Sequence, residues 1–147
     1  MMMRSQRTRW HARHASDART SAARTDPRTD PRQIASAGPG LQLMITARMP
    51  GVTQIPVPDA NGEFSLLLTE NSAEPSWAAA DYSPDTPQIQ VTQYGDRSLW
   101  SEIEAAYAAW LDAGCPAQAR FGLTISPGAQ QVWLDHPGHG IGPASAA

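Results

Sequence analysis

The chain has 147 residues, 41% of them apolar, the size and composition of one globular domain. Its eleven basic residues, all Arg, face fourteen acidic ones for a net charge of −3, but residues 1 to 38 carry eight Arg and three Asp (+5) while residues 39 to 147 carry three Arg and eleven acids (−8). No run of about eighteen apolar residues is present to span a membrane, no secretory signal opens the chain, and the single Cys115 excludes an internal disulfide framework and a cysteine-built zinc site, so a reducing, cytoplasmic setting is expected.

Residues 1 to 38 hold only Trp10 and Ile34 as large apolar residues beyond the three opening Met. They are expected to form a disordered, Arg-rich leader. The duplicated Arg24-Thr-Asp-Pro27 and Arg28-Thr-Asp-Pro31 places two prolines there, read as blocks to helix propagation. Arg4, Arg7, Arg9 and Arg13, with one acid before residue 26, have the Arg-rich and acid-poor character of a transit peptide, and such a tail also attracts phosphates in a salt-dependent way.

From Leu41 the pattern becomes short alternating segments separated by turn residues. Leu41, Leu43, Ile45 and Ala47 share a face of a first expected strand, Met49-Pro-Gly51 interrupts it, and Val52 to Val57 completes a hairpin whose Pro56 and Pro58 suit an edge. Asp59 to Gly62 reads as a turn, and Phe64 to Thr69 as a strand with Phe64, Leu66 and Leu68 on one face. Trp77 to Tyr82 fits strand or helix by periodicity, and its shortness and closure by Ser83-Pro-Asp-Thr-Pro87 favour strand. Gln88 to Gln93 alternates cleanly. Between Arg97 and Ala113, Leu99, Ile103, Ala106, Tyr107, Trp110 and Leu111 recur at helical spacing, Trp100 widens the stripe, Asp96 or Ser98 offers a cap, and Gly114 with Pro116 stops the helix. Ile103 and Trp110 are expected to be buried. Arg120 to Ser126 and Gln130 to Asp135 read as a hairpin around Pro127-Gly128, the pair a type II turn requires. Together these predict an α+β fold: a mainly antiparallel sheet of about six to seven short strands packed on one amphipathic helix, with a disordered tail before residue 39 and a flexible one over 138–147.

A cofactor-binding turn needs glycines between a strand and a helix, and only Gly38-Pro-Gly40 comes near, preceded by the leader and followed by an expected strand. Asp135, His136 and His139 offer three metal ligands within five residues, but Pro137 and Gly138 leave both imidazoles splayed in a polar chain end. His11 and His14 lie in the leader. Cys115, at the negative pole of the helix, is read as inert, and Glu102 and Glu104, two apart, point to different faces. Trp77, Trp100, Trp110 and Trp133 fit a core better than a ligand groove. No catalytic, cofactor-binding or metal site is assigned.

The run Tyr94-Gly-Asp-Arg-Ser-Leu-Trp-Ser-Glu-Ile-Glu-Ala-Ala-Tyr-Ala-Ala-Trp110, then Ala113-Gly-Cys-Pro116, Arg120-Phe-Gly-Leu-Thr-Ile-Ser-Pro127 and Gln131-Val-Trp-Leu-Asp135, resembles the C-terminal extension of bacterial protein-L-isoaspartate O-methyltransferase-like proteins. The strands from Leu41 to Gln93 are similar to the rest of that extension more loosely. The resemblance implies an accessory or substrate-recognition domain over 39–137. In the family, methyl transfer from S-adenosylmethionine to a peptide carboxylate belongs to an N-terminal Rossmann-like domain, to which nothing here corresponds. The chain is therefore expected to be a fragment or remnant of such a protein, or a partner that acts in trans, which binds no cofactor and performs no catalysis by itself. Its expected partners are a Rossmann-type methyltransferase domain or a peptide substrate. The alternative is a small nucleic-acid or anion-associated protein acting through the Arg-rich tail, a weaker reading, and no membrane partner is expected.

Overall fold

A computed structural model describes residues 19–20 and 29–143. In chain order the elements are β1 (Arg19–Thr20), α1 (Pro31–Ser36), α2 (Pro39–Arg48), β2 (Val52–Pro58), β3 (Phe64–Glu70), β4 (Trp77–Ser83), β5 (Thr86–Tyr94), α3 (Leu99–Asp112), a 3-10 turn (Gln118–Arg120), β6 (Phe121–Ser126) and β7 (Ala129–Leu134). The first five strands form one antiparallel sheet in the order β1-β5-β4-β3-β2, and β6 and β7 form a separate hairpin. The α+β class is the one the periodicity predicts. Three helices are present among the described residues, however, where one was expected.

Both extra helices start at a proline. Asp30 takes the extended conformation of an N-cap and accepts a hydrogen bond from the Arg32 N–H at 2.8 Å, with Pro31 in the first turn. A proline in that position has no N–H to lose and a preset φ, so it initiates the helix it was expected to block. Ile34 is fully buried, and Arg32 closes an ion pair with Asp30 at 2.7 Å while its guanidinium lies 3.7 Å from the Tyr82 ring centre. Burial pushes the Asp30 carboxyl up, but the side-chain and backbone hydrogen bonds from Arg32 together outweigh it and hold it below its ordinary value. Residues 29–38 thus belong to the folded domain. The leader's Arg4, Arg7, Arg9, Arg13, Trp10, His11 and His14, and the first tetrapeptide of the duplication, lie outside the described residues.

The segment expected as a first strand is α2. Its alternating Leu41, Leu43 and Ile45 also satisfy a helix once Met44 and Met49 are counted: Leu41, Met44, Ile45 and Met49 are buried, at spacings of three, one and four. A strand would have put Met44 on the opposite face from its neighbours.

The sheet is a meander from β2 to β5 in which Leu66 pairs with Ala80, Leu68 with Ala78, and Ala80 with Val91. These face the helices and join Ile34, Leu41, Ile45, Leu99, Trp100 and Ile103 in one core. Helices α1 and α3 both cross β4, and the small Ala78 and Ala80 leave room for that approach. Trp77, Ala79 and Leu67 are buried on the opposite face, where Trp77 stacks on Tyr94 at 6.3 Å. Trp100 is 1% exposed, and among the described residues its indole N–H has no hydrogen-bond partner. Burying a ring of roughly 200 Å² at ~25 cal/mol/Å² gains about 5 kcal/mol, which exceeds the roughly 1 to 3 kcal/mol cost of the stranded donor. Trp110, expected to be buried, is only half-buried at the rim of the core, whereas Ile103 is fully buried as expected.

Arg97 fastens α3 to the sheet. Its guanidinium donates to Glu102 at 2.6 and 3.1 Å and to Glu70 at 3.0 Å, while its N–H reaches the Ser76 hydroxyl at 3.1 Å. The hydrogen bond from Arg97 is the main cause that holds the Glu70 carboxyl below its ordinary value.

Two outcomes follow from this packing. Ile34→Ala is expected to lower unfolding stability by about 2 to 5 kcal/mol in denaturant titration, as for other buried isoleucines, and a loss under about 1 kcal/mol would mean that α1 is not docked. Folding favours the ionised Glu70, so its contribution is complete above the ordinary carboxyl value of 4.5 and disappears as pH falls through the lower folded value. In thermal melts, Glu70→Gln should therefore cost up to about 1 kcal/mol near pH 7 and progressively less toward about pH 3.

Candidate functional site

The hairpin is seated by the turn that follows α3. Gly114 and Cys115 both take positive φ, 86° and 55°, and turn the chain back so that the Pro116 carbonyl accepts a hydrogen bond from the Trp110 indole N–H at 3.0 Å. Gly40, in the first turn of α2, lies against that same carbonyl: a Cβ there would overlap the oxygen and stand 3.2 Å from the Ala117 Cα. The Gly38-Pro-Gly40 turn does lead into a helix, contrary to the sequence expectation, but what precedes it is α1 and what meets its first turn is this backbone carbonyl. The arrangement is a packing joint.

Beyond the 3-10 turn, the base of the hairpin is clamped by Arg120, which donates to both Asp135 oxygens at 2.9 and 2.8 Å, and by the Asp135 N–H bonded to the Arg120 carbonyl at 2.8 Å. Hydrogen bonding from Arg120 holds the Asp135 carboxyl below its ordinary value. Register runs from Phe121 opposite Leu134 to Ser126 opposite Ala129, and Gly128 at φ +74° completes the expected Pro-Gly turn. On one face, Trp133 lies flat over Gly122, where any Cβ would fall inside the indole, and donates to Thr124 Oγ1 at 3.0 Å.

The other face carries Phe121, Leu123, Ile125, Val132 and Leu134. Leu134 is buried at the base, while Leu123 is 50% and Ile125 70% exposed. Between this face and Leu43 of α2 runs a groove of about 400 Å³, lined by Leu43, Gln118, Phe121, Gly122, Leu123 and Val132. None of these lining residues is charged, most of them are apolar, and the groove can hold an extended apolar segment.

Of the four tryptophans expected to fit a core, Trp100 fills it, while Trp77 lies on the outer sheet face, Trp110 on the Pro116 carbonyl and Trp133 on Gly122. Asp135 is engaged by Arg120, and the His136 and His139 rings, 5.8 Å apart, lie exposed beside it. Among the described residues no group of three His, Cys, Asp or Glu is placed to hold a metal ion. Cys115 is exposed. Residues 139–141, expected in the flexible tail, instead lie along β7: Leu134 N–H bonds the His139 carbonyl at 3.0 Å and Ile141 N–H the Val132 carbonyl at 2.8 Å. The hairpin was legible from its alternation and its turn. The groove was not, because its far wall is Leu43, which the strand reading put on a sheet.

No family model, curated protein or solved structure matches the chain.

Gly40→Ala tests the joint. The extra methyl removes about 1 kcal/mol of glycine penalty from α2, but it must displace the Pro116 carbonyl, breaking a hydrogen bond of about 1 kcal/mol and the packing of Ala117. Net destabilisation is expected, together with a red shift in Trp110 fluorescence. A more stable protein with unchanged fluorescence would show that Pro116 gives way freely.

Proposed function

We propose that the chain is a non-catalytic accessory domain, related to those of protein-L-isoaspartate O-methyltransferase-like proteins, whose work is to dock a partner in the groove beside the β6–β7 hairpin. The observation that carries this reading is that the residues of the resemblance are those that seat the hairpin and leave its apolar face open. Arg97 ties α3 to the sheet, Leu99 and Trp100 fill the core, and Trp110 holds the Pro116 carbonyl. Arg120 clamps Asp135, and Gly122 admits Trp133. Each has a positioning task, and together they present Leu123 and Ile125 to solvent.

The partner is a Rossmann-type methyltransferase domain or its peptide substrate. S-adenosylmethionine and the methyl transfer belong to that partner, and this chain supplies recognition. The same reading puts it in the cytoplasm, where the exposed Cys115 stays a thiol.

Calorimetry on the purified chain tests the proposal. With S-adenosylmethionine alone, no saturable heat is expected. With an isoaspartyl peptide or a Rossmann-type isoaspartate methyltransferase domain, saturable binding is expected, weakened at least about tenfold by Leu43→Arg, which fills the groove; tenfold corresponds to about 1.4 kcal/mol. Micromolar binding of the cofactor to the chain alone would overturn the reading, as would no binding to either partner.

A further inference from the structure

The sheet edges of this protein are guarded unequally. On the main sheet, the β2 edge carries Pro56 and Pro58, which cannot donate to an added strand, and Arg19–Thr20 pairs along part of β5. On the hairpin, residues 139–141 cover β7. The edge of β6 has none of these devices: its sequence Phe-Gly-Leu-Thr-Ile-Ser carries no charge and no proline, and it pairs with β7 without a bulge.

The direction of its free groups follows from β7. Val132 and Leu134 bond outward to residues 139–141, so the Leu123–Val132 and Phe121–Leu134 pairs are the non-hydrogen-bonded ones of the hairpin. Leu123 and Ile125 therefore direct N–H and C=O away from β7, and Phe121 its C=O, its N–H being bonded to Gln118. Among the described residues nothing pairs with this edge. The outward-facing residues are also those whose side chains form the apolar face.

We propose that the β6 edge pairs antiparallel with the β6 edge of a second copy of this chain, on a two-fold axis through Leu123. That register sets Leu123 opposite its own symmetry mate and Phe121 opposite Ile125, so every outward residue meets an apolar one on the same face. Leu123 N–H bonds the mate's Leu123 carbonyl and Ile125 N–H the mate's Phe121 carbonyl, each twice by symmetry. Arg120 falls opposite Ser126, so no like charges meet, and Arg120 is already neutralised by Asp135. The two hairpins become one four-stranded sheet, and Ile125, 70% exposed in one copy, comes against Phe121 at the mouth of the other's groove. The two grooves then share one floor across the axis. The use of that floor rests on the docking function proposed above; the pairing itself does not.

Sedimentation equilibrium of the full chain, from about 1 to 500 μM, is expected to show a concentration-dependent dimer of the 15.8 kDa chain. Leu123→Lys and Leu123→Glu each place like charges across the axis and should raise the dimer dissociation constant at least about tenfold, with the far-UV spectrum and melting transition retained because Leu123 is half exposed. An equimolar mixture of the two should restore a dimer, because opposite charges then meet at the axis. Ile125→Lys, at the most exposed position, should weaken the dimer as well. A wild type that stays monomeric throughout overturns the proposal, as does a dimer indifferent to Leu123→Lys or a mixture that remains monomeric. A monomer that still binds the methyltransferase domain through the groove overturns only the pairing. A dimer with this charge dependence that binds neither peptide nor methyltransferase domain upholds the pairing and overturns the docking function.

Discussion

The carbonyl of Pro116 is the point on which the geometry of the exposed hairpin turns. It is held from one side by the Trp110 indole at 3.0 Å and pressed from the other by the first turn of α2 at Gly40, so the last turn of α3 and the first of α2 meet over one backbone atom. The chain cannot drift after α3 because two consecutive positive-φ residues, Gly114 and Cys115, turn it back toward this contact. Everything from the 3-10 turn onward inherits its position from there, and so does the width of the groove between Leu43 and β6.

A second tie sets what that joint can rest on. Arg97 spans Glu70 at the end of β3 and Glu102 in the first turn of α3, with Ser76 bonding both the Arg97 N–H and, through its own N–H, Glu70. A guanidinium shared by two carboxylates fixes orientation better than two separate pairs, because its planar fork limits the angles at which both can be met. The start of α3 is thereby registered against the sheet, and its end against α2. Between these fixed ends, Leu99, Trp100, Ile103, Ala106 and Tyr107 fill the space above the small Ala78 and Ala80. Helix α3 is thus the beam that carries the sheet's order out to the hairpin.

What the sequence disclosed of this fold divides along the range of the signals. The strands from Val52 to Tyr94, helix α3 and the Pro127-Gly128 turn are marked by local alternation, helical recurrence and turn chemistry, which tertiary packing then reinforced. Helices α1 and α2 were missed because their local signals pointed two ways. Asp30-Pro31 reads equally as a breaker or as a capped helix start, and six residues of helix with one large apolar side chain are stable only because Ile34 has a sheet to sink into. Leu41 to Ala47 satisfies period two as well as a helical face. The choice falls to where Met44 and Met49 can be buried, which only the assembled core decides. The candidate site was legible by half for the same reason: its hairpin wall is local, and its Leu43 wall depends on α2.

The distribution of aromatic side chains determines what kind of surface is left over. Trp100 is spent in the core, Trp110 on a backbone carbonyl, Trp133 as a plate over Gly122 and Trp77 against Tyr94. The groove therefore keeps a single ring, Phe121, among Leu43, Leu123 and Val132, with polar contact confined to Gln118 at its rim. Such a surface offers little ring area for stacking a base or a cofactor and no fixed charge along its floor. It can discriminate by fit to aliphatic side chains, and by the free backbone groups of Leu123 and Ile125 beside it, whose two-residue spacing matches that of another extended strand. The chemistry that remains open on this face is that of a polypeptide edge: hydrogen bonds set the direction and register of what binds, and the alternation of apolar side chains sets which sequences fit.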